Sequence, residues 1–176
     1  WWTALNKALE PNAMSRPANT GGIGGLEGQA ASFGRAIIAD DEAFVVTVTH
    51  SGATYRALSS FDEWYRTLDP GIFLGSFTNR QSVPNADDTT THVVSPRDPG
   101  YFNWHDTAGL NEVYLLQRWQ GLPQSPDNHI AIRSQLVKLG DLPNVLPKDM
   151  KRVTAEERKT QIAQRLTQYQ RRYLDK

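Results

Sequence analysis

The sequence contains no cysteine. That excludes a disulfide framework, a thiolate nucleophile and a Cys-ligated zinc or iron–sulfur centre, and it removes redox chemistry as a guide to compartment. Net charge is also missing, since nineteen Lys and Arg balance nineteen Asp and Glu. A balanced chain argues against wholesale binding of nucleic acid or attraction to an acidic membrane. Long apolar runs are absent too. The stretch Ala43-Phe44-Val45-Val46 falls far short of the ~18 residues a spanning helix requires. His50, His92, His105 and His129 show neither His-x-His nor His-x-x-x-His spacing, so no metal site and no cofactor is expected. Ser95 lacks the Gly-x-Ser-x-Gly frame of a nucleophile elbow.

What is present organises the chain into three parts. Residues 1–34 read as a lead-in segment whose cluster Gly21-Gly22-Ile23-Gly24-Gly25 sits in a loop. Pro17-Ala18-Asn19-Thr20 precedes those glycines where a dinucleotide fingerprint needs a strand. Residues 35–147 read as an antiparallel β domain. Phe44, Val46 and Val48 fall on one face of a strand and Val45, Thr47 and Thr49 on the other. Ser51-Gly52 is a turn signal, after which Thr54–Leu58 is expected to return as a hairpin partner. Further strands are expected at Thr90–Ser95, Val113–Trp119 and Ile132–Leu139. Turn chemistry separates them at Asp69-Pro70-Gly71, Pro84–Asp88, Asp98-Pro99-Gly100 and Pro123–Asp127. Short strands between such turns, without alternating helices, indicate a mainly β fold, an antiparallel β-sandwich or jelly roll.

Residues 148–176 read as a C-terminal amphipathic helix. Thr154 and Glu157 form a capping box, and Ile162, Leu166, Tyr169 and Tyr173 make one apolar stripe expected to be buried. Nine basic and four acidic residues follow Pro147, against ten basic and fifteen acidic before it. A basic helix on an acidic body follows, or one that meets a separate acidic partner. A neighbouring copy in a homo-oligomer is also open.

The densest run of chemically unusual side chains is Ser95 to Gly109. It is expected to line the main concavity, because rigid scaffolds carry function on such loops. Arg97, Tyr101, Asn103 and Trp104 are the candidate ligand contacts there. Arg118 joins them as a partly buried cation expected to pair with a carboxylate, Asp98 or Asp106 being nearest, or with backbone carbonyls. His105, Asp106 and Asp98 are the acid–base candidates, although adjacent residues on an extended chain point apart. The same residues serve equally well as turns, caps and core plugs.

Motifs across Gly22 to Tyr173 resemble a family known as the domain of unknown function numbered twelve-fourteen. They are Asp41–Val46, Tyr55, Trp64, Asn79 with Gln81, Asn85-Ala86-Asp87 and Asp98-Pro99-Gly100, followed by Asn103-Trp104, Asp106-Thr107, Gly109 and Arg118-Trp119. Val153–Arg158 resembles the start of that family's terminal helix. The family usually has glycine where this chain has Asp88, and an apolar residue where it has His105. The resemblance implies a bacterial β-sandwich, jelly-roll module related to glycan-amidase folds. It also implies the C-terminal part of a larger protein, whose N-terminal domain is then a partner. The opening Trp1-Trp2-Thr3, without an initiator Met or a signal-peptide pattern, fits that expectation. The resemblance carries over no catalytic residue. Two functions remain: a ligand-binding or accessory module for a small molecule or glycan, and a hydrolase of a small polar or glycan-like substrate. Whether the compartment is cytoplasmic or periplasmic stays open.

Overall fold

The computed structural model describes residues 8–23, 25–123 and 129–174. Among these residues ten strands build two facing sheets: β1 (Ala13–Met14), β2 (Ala18–Asn19), β3 (Gln29–Ile37), β4 (Glu42–Thr49), β5 (Tyr55–Phe61), β6 (Ser76–Thr78), β7 (Thr89–Ser95), β8 (Trp104–Asp106), β9 (Glu112–Gln120) and β10 (Ile132–Lys138). One sheet runs β1-β3-β9-β5-β6, with β2 also on β3, and the other runs β10-β4-β7-β8. Every pairing is antiparallel except β7 with β8, which are parallel. The β-sandwich with a C-terminal helix is thus the fold. Two helices complete it, α1 (Leu142–Val145) and α2 (Ala155–Leu174).

The core between the sheets holds Phe44, Val46, Val48, Leu58, Val94, Val113, Leu115 and Trp119. The alternation along β4 aims its first face here. Its other face is buried as well, because Ala43 and Val45 pack with Val93, Tyr101, Leu142, Leu146 and Met150. The segment from β10 through α1 covers that side of the sheet, so β4 is apolar on both faces. Trp119, fully buried, donates its indole N–H to the Thr49 carbonyl at 2.8 Å and ties the two sheets together.

Two sequence expectations fail here. Gln29–Ile37 is not part of a lead-in loop; it is a nine-residue strand, and the proposed boundary at residue 35 falls inside it. Its small residues carry little β propensity, and pairing on both sides supplies the order instead. Ser51 and Gly52 do turn the chain, both with positive φ, but β5 does not return to β4. Both edges of β4 are occupied by β7 and β10, so β5 crosses to the other sheet and pairs with β9 and β6. Part of the expected breaker at Pro123–Asp127 lies outside the described residues.

Helix α2 closes the side of the sandwich where β6 and β8 are edge strands. Its start is the expected capping box: Thr154 N–H donates to Glu157 Oε2 at 2.7 Å, and Glu157 N–H to Thr154 Oγ1 at 3.2 Å. The apolar stripe is not the main attachment. Ile162 packs on Leu74, Phe77 and Trp104, whereas Leu166 and Tyr169 stay more than a third exposed, and the Tyr173 side chain lies outside the described residues. Two arginines hold the helix instead. Arg158 is buried, with Nε and Nη2 donating to the two carboxylate oxygens of Asp98 at 2.8 and 3.0 Å. It also donates to the carbonyls of Tyr101 and Phe102. Arg165 reaches Ser76 on β6. Among the described residues no helix is long and apolar enough to cross a membrane.

Candidate functional site

The segment expected to line the main concavity is a structural junction. Asn103, almost fully buried, donates its amide to the carbonyls of Val83 and Thr91 and accepts from the Val83 N–H. Trp104 donates to the Ser95 carbonyl at 3.1 Å and lies under the Arg158 guanidinium. Tyr101 is buried in the cluster outside β4, and its hydroxyl accepts from Arg152 at 2.9 Å. Asp98 accepts from the Gly100 N–H and pairs with Arg158. Asp106 accepts from the Ala108 N–H at 2.8 Å, and burial raises its pKa. Arg97 is solvated and lies 3.7 Å from Asp40.

The two partners expected for Arg118 are therefore engaged elsewhere. Arg118 itself is half-buried, forms no ion pair among the described residues, and sits near the Tyr65 phenol, whose pKa burial raises and the Arg118 charge only partly offsets.

His105 has no solvent exposure. Its Nε2 lies 3.1 Å from His92 Nδ1, its Nδ1 lies 3.4 Å from Ser60 Oγ, and Phe77 packs on its ring. Burial holds both rings neutral, with His92 lowered to about 3 and His105 well below the usual histidine range.

A concavity lies elsewhere. A cavity of about 420 Å³ opens between β5, β6, the 67–75 segment and α2, and none of the residues 95–109 lines it. Ser59 and Ser60 come from β5, Ser76 and Thr78 from β6, Thr67, Leu68 and Pro70 from the connecting segment, and Arg165, Gln168 and Tyr169 from the helix. Asp62 shapes the start of that segment by accepting from the Trp64 and Arg66 amides, and Asp69 shapes its end by accepting from the Gly71 N–H. Tyr65 enters the left-handed region at φ +61° and stacks on Phe61 at 4.7 Å. Among the described lining residues the single formally charged one is Arg165. Desolvation lowers its pKa to about 10, and it lies 4.9 Å from the Phe77 ring. Ser60 joins this cavity to the buried histidines.

A second, wider groove of about 800 Å³ runs over the outer face of β4, β7 and β10. Its charged side chains, Asp87, Arg133 and Lys148, are all exposed to solvent, so nothing there is poised for a ligand by burial.

Sequence reasoning missed the cavity because serine and threonine on strands carry no distinguishing signal, and because Arg165 sits in a helix already rich in arginine. No group of three or more acidic or histidine side chains suited to a metal occurs among the described residues.

No family model and no curated protein matches the chain. Solved structures do. A crystal structure of a protein described as uncharacterised from Burkholderia cenocepacia is 29% identical, with a TM-score of 0.70 over 80% of this chain and 39% of that one. A protein from Vibrio parahaemolyticus is 14% identical, with a TM-score of 0.44 over 61% of this chain and 31% of that one. The chain thus spans well under half the length of either.

Proposed function

We propose that this domain is a ligand-binding module and that its site is the cavity beneath α2. The observation that carries this reading is an open concavity of about 420 Å³ with hydroxyls on its walls and one partly desolvated cation. That volume lies toward the lower end of the ~300–1,000 Å³ typical of small-molecule sites, which favours a small molecule over an extended glycan. The resemblance to the domain of unknown function numbered twelve-fourteen supports an accessory role in a larger bacterial protein, beside an N-terminal partner domain. The exposed Leu166 on α2 is available for such a neighbour or for a second copy.

The test is a ligand screen by thermal shift on the chain and on Ser59→Phe, which fills the cavity from β5. A true ligand at hundredfold excess over its Kd stabilises the natural chain by about 2.7 kcal/mol and leaves the filled variant unmoved. Ligands that stabilise both equally reject the cavity as the site.

Hydrolysis has one observation in its favour, the chain Ser60–His105–His92 behind the cavity. A serine, a base and an orienting group in hydrogen-bond reach are the parts of a nucleophilic site. The buried His105 is a poor proton acceptor, however, and Asp98 and Asp106 are committed to structural bonds. Ser60→Ala separates the readings. Binding survives it in a module, and turnover of small esters is lost in a hydrolase.

A further inference from the structure

A guanidinium taken out of water without a carboxylate is costly, and proteins rarely leave one so. Arg165 is half-buried and has no carboxylate on it. Among the described residues it forms no ion pair; Nη2 donates to the Ser76 carbonyl and hydroxyl, and the guanidinium lies 4.9 Å from the Phe77 ring. An arginine serving only to staple α2 to β6 needs no cavity in front of it, whereas this one lines a chamber with no other formal charge among its described lining residues. The neighbouring His105 stays neutral and offers no negative partner. The open edge of a guanidinium is a planar fork that matches a carboxylate.

We propose that the cavity takes a small monocarboxylate, with its carboxylate on Arg165 and its body toward Tyr55, Leu68 and Tyr169. This rests on the binding reading above and names the ligand's chemistry. One half-buried cation is neutralised by one negative charge. A dianion such as phosphate leaves a desolvated negative charge behind, with no lysine or second arginine among the described lining residues to hold it. Ser59 and Ser76 supply hydroxyls for a polar group on the ligand, and the apolar walls suit a short aliphatic or aromatic body.

The test uses matched probes on the unmodified chain. Benzoate with benzamide, hexanoate with hexanamide, and inorganic phosphate are titrated while the amide resonances of Ser59 and Ser76 and the Arg165 side-chain N–H are followed by NMR. The expected result is saturable shifts at these residues by the carboxylates, at least tenfold tighter than by their amides, with phosphate weaker than either acid. Arg165→Lys keeps a charge but not the fork and should weaken the acids at least fivefold. Amides that bind these residues as tightly as the acids overturn the carboxylate inference and leave the site standing. Phosphate binding more tightly than the acids overturns the monoanion argument. If no probe moves Ser59, Ser76 or Arg165, both the inference and the site fail.

Discussion

His105 Nε2 and His92 Nδ1 lie 3.1 Å apart inside the sandwich, so one ring donates and the other accepts, and both are uncharged. The two come from the parallel strands β8 and β7 and face Phe77 on the opposite sheet. Neither ring can take up a proton without placing a charge in the core beside the other.

Acid should therefore unfold the protein through this pair. In the unfolded chain each ring protonates near pH 6.5, whereas folding keeps His92 neutral down to about pH 3 and His105 neutral well below 6.5. Both folded values are depressed for a base, so the unfolded state binds more protons in that window and stability falls as pH drops from about 6.5 toward 3. Each ring contributes a slope of up to about 1.4 kcal/mol per pH unit there. Urea unfolding at pH 7.5, 6 and 5 measures it, and H92L/H105F should flatten the slope between pH 6 and 5. An equally steep natural chain and double variant would assign the acid sensitivity to other groups.

The attachment of α2 depends on Asp98. Asp98→Ala leaves the buried Arg158 charge uncompensated and should destabilise the protein by about 3 kcal/mol. Denaturant unfolding of the single variants and of D98A/R158M gives the coupling. The double variant is expected to be more stable than D98A alone.

Leu166→Ala should cost only about 1 kcal/mol or less, because its side chain remains 36% exposed and packs one edge near Gly71. A loss of 3 kcal/mol or more, read from the same unfolding curves, would mean that the residue is covered in solution by another copy. Concentration dependence of the midpoint would then reveal that copy.

Asp88 sits in the left-handed region, with φ +58°. Aspartate tolerates that region and here accepts from or pairs with His50 Nδ1 at 2.6 Å, while His50 Nε2 lies 2.8 Å from Thr90 Oγ1. Asp88→Ala loses the bond and keeps the strain, costing about 1–2 kcal/mol. Asp88→Gly loses the bond but relieves the strain, and should cost about 0.5 kcal/mol or less. Thermal or urea unfolding that ranks the two variants the other way would assign Asp88 a role other than shaping this turn.

Much of the fold was readable where side chains reported their surroundings directly. The Phe44-Val46-Val48 alternation, the Asp69, Asp98 and Asn85 turns, and the Thr154–Glu157 cap all encode local geometry. Strand β3 was hidden because Gln29–Ile37 is mostly small residues, whose order comes from neighbours distant in sequence. The hairpin after Ser51-Gly52 was misread because local turn chemistry says nothing about which edges of β4 are already taken. In the helix, the apolar stripe drew attention from Arg158 and Arg165, whose importance lies in what they touch. Residues 95–109 stood out because polar and aromatic side chains mark a built junction as readily as a site. The cavity was invisible for the opposite reason: Ser59, Ser60 and Ser76 become a wall only when β5, β6 and α2 meet.

Strand β9 lies between β3 and β5 and pairs with both along their lengths. During synthesis β3 and β5 leave the ribosome first and wait for it. Until residue 120 has emerged, two strands with buried faces in the finished sheet have open hydrogen-bonding edges and no central partner. Sheet formation cannot proceed from the N-terminus as a zipper; it begins when the late strand inserts between the early ones. The nascent chain is thus most exposed to edge pairing with its neighbours over the interval in which about sixty residues separate the end of β5 from the end of β9.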